Sequence, residues 1–523
     1  MLESMLSLKV RRLPVEIGEL RVVLNKEDAE KAGIAPHDRV RIIRRDGSQV
    51  VALASISASP EVAPPGEISV FADLAKKLPV EEGESVSVEV VPTPQSAGLV
   101  RKKVLEGKLT PQEVSTLIKD IYDGVLSDVE LAAFVTALQL HGADMDEVEA
   151  LTRAMAEVGT LLDFGDVLTV DKHSVGGVPG NSKDALLIVP IVAAAGLVIP
   201  KTSTRAIMSP AGTVDTMEVL APVDLKPEEI VEISKRVGGV IAWAASANLS
   251  PVDGILIEKV EYPLSLDPES LIYASIMSKK LAAGVKRLVL DIPVGPEAKV
   301  ESLKDARRMG RNFVELGERL NIITQVAISY GGQPIGRFVG PALEAREALE
   351  ILVSRGKGSR SIIEKSLSLA GILLEMGGAA PIGYGEKMAR EILESGRAYQ
   401  KMREIIETQG GDPNIKPEDI PVGEHRAVLT AKMSGYVVAV SNRAIVRIAR
   451  AAGAPRDKGA GVRIFAKRGD RVEAGAPVIE IYAESESKLQ AAVEVAKSTD
   501  PVRVEGMVLE VFRDRTIGRE VAI

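Results

Sequence analysis

The chain has no cysteine among its 523 residues. That absence removes disulfides, thiolate nucleophiles and zinc–thiolate sites together. Histidine is nearly as scarce: His37, His141, His173 and His425 are the only four and stand far apart, too few for a dedicated transition-metal centre. Positive charge is also short, with a net charge of −8. Nucleic acid and anionic membranes are poor partners for such a chain, because both demand a surplus of Lys and Arg. Met1 to Arg12 lacks the apolar core of a signal peptide. The most apolar run, residues 185 to 200, is short and carries Pro190, Gly196 and Pro200, so it reads as a buried helix rather than a membrane span. No internal repeat and no low-complexity tract is present. What remains, 46% hydrophobic and 26% charged residues, is globular composition. The expectation is a cytoplasmic protein of about two to four domains. Its scarce Asn and Gln and many Arg, Lys and Glu point toward a thermophile.

The texture of the sequence changes three times. Residues 1–91 read as an N-terminal β-rich domain: Leu20 to Leu24, Arg39 to Ile43 and Ser85 to Val91 are strand-like, and Asp46-Gly47 marks a hairpin. Residues 96–165 read as all-α, opening on a capping box at Thr110-Pro111-Gln112-Glu113 that repeats at Ser127 to Glu130. The strongly helical stretch near 255–284 joins this block, which makes the all-α domain discontinuous. Residues 168–254 plus 285–425 alternate apolar strands (Leu288 to Ile292, Ile323 to Ile328) with helices (Ala342 to Leu352, Ser361 to Met376). That alternation marks an α/β domain with ligands at its strand ends. Residues 429–523 return to strands. Ser434 to Val438 and Lys467 to Val478 resemble the β-hammerhead of biotinyl and lipoyl modules, but the matching turn, Tyr482 to Glu486, has no lysine to modify.

Three polar clusters interrupt these patterns. Asp171-Lys172-His173-Ser174 runs into Val175-Gly176-Gly177-Val178-Pro179-Gly180-Asn181 just before the apolar run. Glycines let backbone amides approach an oxyanion closely, and the following helix start adds free N–H groups, so phosphate is the natural ligand. A glycine turn with solvated polar residues would account for this cluster alone. The second cluster, Lys201 to Arg205 with Ser209 to Thr213, leads into Asp215 and Glu218. It offers hydroxyls and cations for another anion, or hydroxyls spent on their own backbone. The third is a helix start at Asp267-Pro268, with Ser275 and Lys279 four apart on one face.

In this order, Asp171 to Gly177, Gly212 to Glu218 and Ala274 to Lys280 resemble the three motifs of the thymidine/pyrimidine nucleoside phosphorylase family. The similarity runs from about residue 96 onward. It is greatest to the archaeal AMP phosphorylase branch, on the N-terminal β-unit, Gly177 to Asn181, Lys201 to Ser209, Tyr330 to Gly336 and Gly453 to Gly461. The pyrimidine branch places an Arg shortly before the Ser–Lys helix, whereas Lys259 to Asp267 has none here, which favours another base or a broader range. The resemblance implies an α/β fold of nucleoside phosphorylase/phosphoribosyltransferase type, a mixed sheet flanked by helices. It implies a pentosyltransferase that exchanges a base for phosphate at the ribose anomeric carbon of AMP, with CMP and UMP as further substrates. Inorganic phosphate is then a co-substrate, and no cofactor and no metal are needed. Lys172, Ser174, Ser203 and Thr213 match phosphate ligands. Gly177, Thr204, Arg205, Ala206, Ile207, Met208, Ser209, Thr213, Ser275 and Lys279 match nucleotide-binding positions, with Arg205 the candidate for the 5′-phosphate. Asp267 matches the general acid, and His173 is a neighbour of lesser weight. A homodimer or larger homo-oligomer is expected. The competing readings are a pyrimidine nucleoside phosphorylase acting without a 5′-phosphate, a non-enzymatic scaffold, and a metal-dependent phosphoribosyltransferase.

Overall fold

The computed structural model describes residues 5–206 and 209–508. The chain divides into two compact units, Met1–Val158 with Pro251–Ala274, and Gly159–Ser250 with Ser275–Ile523.

In the first unit the N-terminal residues close into a six-stranded barrel. Its strands follow the order Leu6–Leu13, Glu67–Phe71, Arg21–Asn25, Gln49–Ser57, Arg39–Ile43 and Ser85–Val91. Period-two alternation drives the closure: Val40 and Ile42, Val50, Ala52 and Ala54, and Val86 and Val88 turn inward and are buried. Asp46 and Gly47 form the turn that sets Ile43 opposite Gln49. The helices Pro111–Asp123, Asp128–His141 and Met145–Glu157 each start on a capping box. They pack Leu117, Ile118, Phe134 and Met155 around Val252 and Leu256 of the returning segment.

The second unit is built on parallel strands. Ile323–Tyr330, Arg287–Val294 and Val170–Ser174 form one sheet in that order, and Ile199–Ser203 pairs with Gly239–Trp243. A parallel bridge between Thr169 and Val198 joins the two. A mixed sheet was expected here, yet every pairing among these described strands is parallel. The helices Asp184–Ala194 and Leu303–Arg319 lie in the connections between successive strands, the crossovers that parallel pairing requires. The apolar run also differs from the expected helix. The helix is Asp184–Ala194, Gly196 at φ +89° ends it, and residues 199–203 become a buried strand. Among the described residues of this unit, antiparallel pairing is confined to two small sheets: Phe338–Val339 with Gly461–Ile464, Pro477–Ala483 and His425–Thr430, and Arg471–Val472 with Gly435–Val440 and Val502–Glu505. The helices Asn442–Ala451 and Glu486–Thr499 complete that C-terminal module around Ile445, Ile448 and Ile481.

Candidate active site

Parallel strands gather functional groups at their carboxyl ends, and two such ends carry the first two polar clusters. Lys172, His173 and Ser174 finish the strand Val170–Ser174, and Ser203 finishes Ile199–Ser203. Beneath them lies a buried electrostatic cluster. The Asp171 carboxylate, fully buried, receives the Lys280 ammonium at 2.5 Å and stands 3.6 Å from that of Lys201. Lys172 pairs with Asp184, the first residue of the following helix. Lys365 reaches Asp291 at 2.8 Å, and Lys279 completes the set of lysines facing His173.

Lysines crowd this cluster. Lys172, Lys201, Lys280 and Lys365 pair with Asp171, Asp184 and Asp291, and Lys279 lies close enough to bear on His173. Positive charge is thereby concentrated in a region of low dielectric. Burial, opposed by Asp171 and reinforced by the neighbouring Lys280 and Lys172, lowers the pKa of Lys201 to about 7. His173 is half-buried with its Nδ1 shut off from solvent and unpartnered. Desolvation, reinforced by Lys280, Lys201, Lys279 and Lys172, depresses its pKa far below the usual imidazole range, so it is neutral here. Such a cluster is suited to a dianion, which would relieve the repulsion that the lysines impose on one another.

Ser174 is tightly engaged. Its hydroxyl donates to Asp291 at 2.8 Å and accepts from Asn181 Nδ2 at 3.1 Å and from Gly176 N at 3.3 Å. One donor and two lone pairs are thereby used, so an arriving anion displaces one of these bonds. Lys365 and Lys172 hold Asp291 below the usual carboxylate range despite its burial. The glycine loop is shaped for close approach. Gly177 has φ +86°, and a Cβ there would overlap the Lys299 backbone nitrogen. Gly177→Ala therefore combines left-handed strain of about 1–2 kcal/mol with a backbone clash. Its kcat/KM is expected to fall at least tenfold in a steady-state assay, whereas wild-type kinetics would show that the loop relaxes freely.

The second cluster is arranged differently from its sequence reading. Arg205 donates to both oxygens of Glu218, each at 2.6 Å, and stacks on Trp243 with 4.6 Å to the ring centroid. Its guanidinium is therefore occupied by protein in this state rather than offered outward. Asp215 Oδ2 accepts from Ala206 N at 2.7 Å and Gly212 N at 3.0 Å. Thr213 is buried and donates to the Ser182 carbonyl at 3.2 Å, which ties this cluster to the first. Thr204 is half-buried and Ser209 exposed; Ile207 and Met208 lie outside the described residues.

On the helix Glu269–Ala282, Lys279 Nζ donates to Ser275 Oγ at 3.0 Å, as the four-residue spacing requires. Asp267 belongs to the first unit, exposed in the turn ahead of this helix. Sequence reading passed over Asn181, Asp184, Asp291 and Lys365 as site residues. Asp291 left a signal, since a carboxylate inside the apolar run Leu288 to Ile292 needs a buried partner. Among the described residues no group of His, Asp or Glu is placed to hold a metal ion, and no helix is long and apolar enough to cross a membrane.

The chain matches the glycosyl transferase family helical bundle domain over residues 97–159 and its a/b domain over 166–399. Residues 436–502 match the pyrimidine nucleoside phosphorylase C-terminal domain. A solved anthranilate phosphoribosyltransferase from Thermus thermophilus shares the fold, with TM-score 0.50 and 21% identity over 59% of this chain and 98% of its own. Fold and site thus define a pentosyl-transferring enzyme of the glycosyl transferase class. Among curated relatives, an AMP phosphorylase of Thermococcus kodakarensis is 51% identical over 96% of this chain and 98% of its own length. Those of Pyrococcus furiosus and Archaeoglobus fulgidus are 50% and 49% identical, each over 97% of this chain and 99% of their own. The chain belongs to the AMP phosphorylase family.

Proposed function

We propose that the protein cleaves AMP with inorganic phosphate to adenine and ribose 1,5-bisphosphate, and accepts CMP and UMP as well. The supporting observation is the buried cluster of lysines around Asp171, Asp184 and Asp291 at the strand ends, a counterpart for hydrogen phosphate. In this reading Lys172, Ser174, Ser203 and Thr213 hold the attacking phosphate. Gly177, the segment from Thr204 to Ser209, Thr213, Ser275 and Lys279 hold the nucleotide. Neutral His173 lies alongside without giving up a proton. A phosphate oxygen forms the bond to C1′ as the bond from C1′ to the base nitrogen breaks. Asp267 protonates the leaving base, and the proton shed by hydrogen phosphate restores the acid, so charge and atoms balance. Orientation and fixed electrostatics carry the reaction, because phosphate is already a competent nucleophile. No cofactor or metal enters these steps.

The finer architecture belongs to the same proposal: a nucleoside phosphorylase arrangement of a discontinuous helical domain, a catalytic α/β domain and a hammerhead-like C-terminal module, assembled as a homodimer or larger in the cytoplasm. The test compares AMP, CMP, UMP and adenosine, each with and without phosphate. Base should appear from the nucleotides only when phosphate is present. Equal release from adenosine would transfer the chain to the nucleoside phosphorylases. Release from none would leave a scaffold.

A further inference from the structure

The segment Gly453 to Gly461 lies in the C-terminal module and takes no part in the steps above. Its Lys458 nonetheless reaches into the α/β domain. The ammonium donates to Asp215 Oδ1 at 3.2 Å and lies 2.7 Å from Glu218 Oε2. Both acceptors also bind residues of the second polar cluster. Asp215 is buried, and its other oxygen already accepts from the amides of Ala206 and Gly212. On Oδ1, Lys458 is the nearer of two cations, with Arg205 Nη1 at 3.9 Å, and a buried carboxylate needs such partners. Glu218 anchors Arg205, which in turn lies on Trp243.

Lys458 is presented from a fixed backbone. Its carbonyl accepts from Ala342 N at 3.0 Å. The next residue, Gly459, donates to Glu484 at 2.7 Å and accepts from Gly423 N at 2.8 Å. An ammonium on such a support works as a peg rather than as a wandering surface charge. Hydrogen bonds from Arg205 and then Lys458 hold the Glu218 pKa down to about 2, so the carboxylate stays charged and the peg stays engaged through the working pH range. Arg450 of the same module donates to the Ser209 carbonyl at 3.4 Å, a second tie to the same loop.

We infer that Lys458 is a positioning residue for nucleotide binding, holding Arg205, Ala206 and Gly212 of this loop through Asp215 and Glu218. The inference rests on the reading that this loop meets the nucleotide. It makes the C-terminal module part of substrate selection: the module sets how well the loop is preformed for a nucleoside monophosphate, while the lysine cluster around Asp171 deals with inorganic phosphate. Preforming a loop lowers the ordering cost of binding, so loss of the peg falls on the KM for nucleotide.

The full-length protein carrying Lys458→Met is compared with Lys458→Arg and wild type for the KM of AMP, the KM of phosphate, kcat and the unfolding midpoint. Hydrogen exchange of peptides covering residues 204–213 is followed in wild type with and without AMP. Lys458→Met should raise the KM for AMP about tenfold while leaving that for phosphate within about twofold, and Lys458→Arg should restore it. An unchanged KM for AMP, in a protein whose loop AMP protects, overturns the positioning role. So does a rise in both KM values that follows a fall in the unfolding midpoint. If AMP leaves loop exchange untouched in wild type, the nucleotide reading of the loop fails first and takes the inference with it.

Discussion

Asp267→Asn is expected to fold as wild type does and to lose phosphorolysis by about 10² to 10⁴-fold in kcat, the range that a positioned general acid supplies. Folding should be spared because Asn serves as well as Asp ahead of a helix, and Asp267 stands before Glu269–Ala282. The chemistry cannot be spared, since an amide has no proton to give at neutral pH. A general acid leaves a limb of kcat that falls as pH rises, and the residual activity of Asp267→Asn should lack this limb. Near-normal turnover by the variant would reduce Asp267 to a helix cap and move the acid elsewhere.

Local chemistry was readable from the sequence, and long-range partnership was not. Asp171 to Gly177 read as an anion-site candidate because cation, hydroxyl and glycine fall within one short segment. The capping boxes at Thr110 and Ser127 and the i,i+4 pair Ser275–Lys279 stand where their spacing put them. By contrast, Ser174 meets Asp291 across 117 residues, and Lys458 meets Asp215 across 243. No pattern of period two or 3.6 encodes such pairs, because they exist only after the sheet has brought strand ends together. Arg205 carries a partner that its motif did not announce: Glu218, thirteen residues on, binds its guanidinium. A cation in a polar motif is a ligand candidate only after the motif's own carboxylates are counted. The barrel of residues 5–91 was legible as strands and turns. Its closure, with Leu6–Leu13 between Glu67–Phe71 and Ser85–Val91, depends on register rather than on composition.

Lys172→Met should raise the KM for phosphate about 10- to 100-fold, the equivalent of one charge-assisted hydrogen bond of roughly 1.5–3 kcal/mol. The single variant is ambiguous by itself. Lys172 is buried against Asp184, and removing one partner of a buried pair costs about 3–5 kcal/mol of stability through the charge left behind. A weaker enzyme could then reflect a disturbed strand end rather than a missing ligand. Lys172→Met combined with Asp184→Leu separates the two causes, because replacing both charges of a buried pair by apolar groups is often neutral for folding. If Lys172 binds phosphate, the double variant regains its unfolding midpoint and keeps the high KM for phosphate, while the KM for AMP moves little. If Lys172 serves only to neutralise Asp184, the double variant regains both. The first outcome assigns Lys172 to the nucleophile, and the second leaves that role to the neighbouring Lys201 and Lys280.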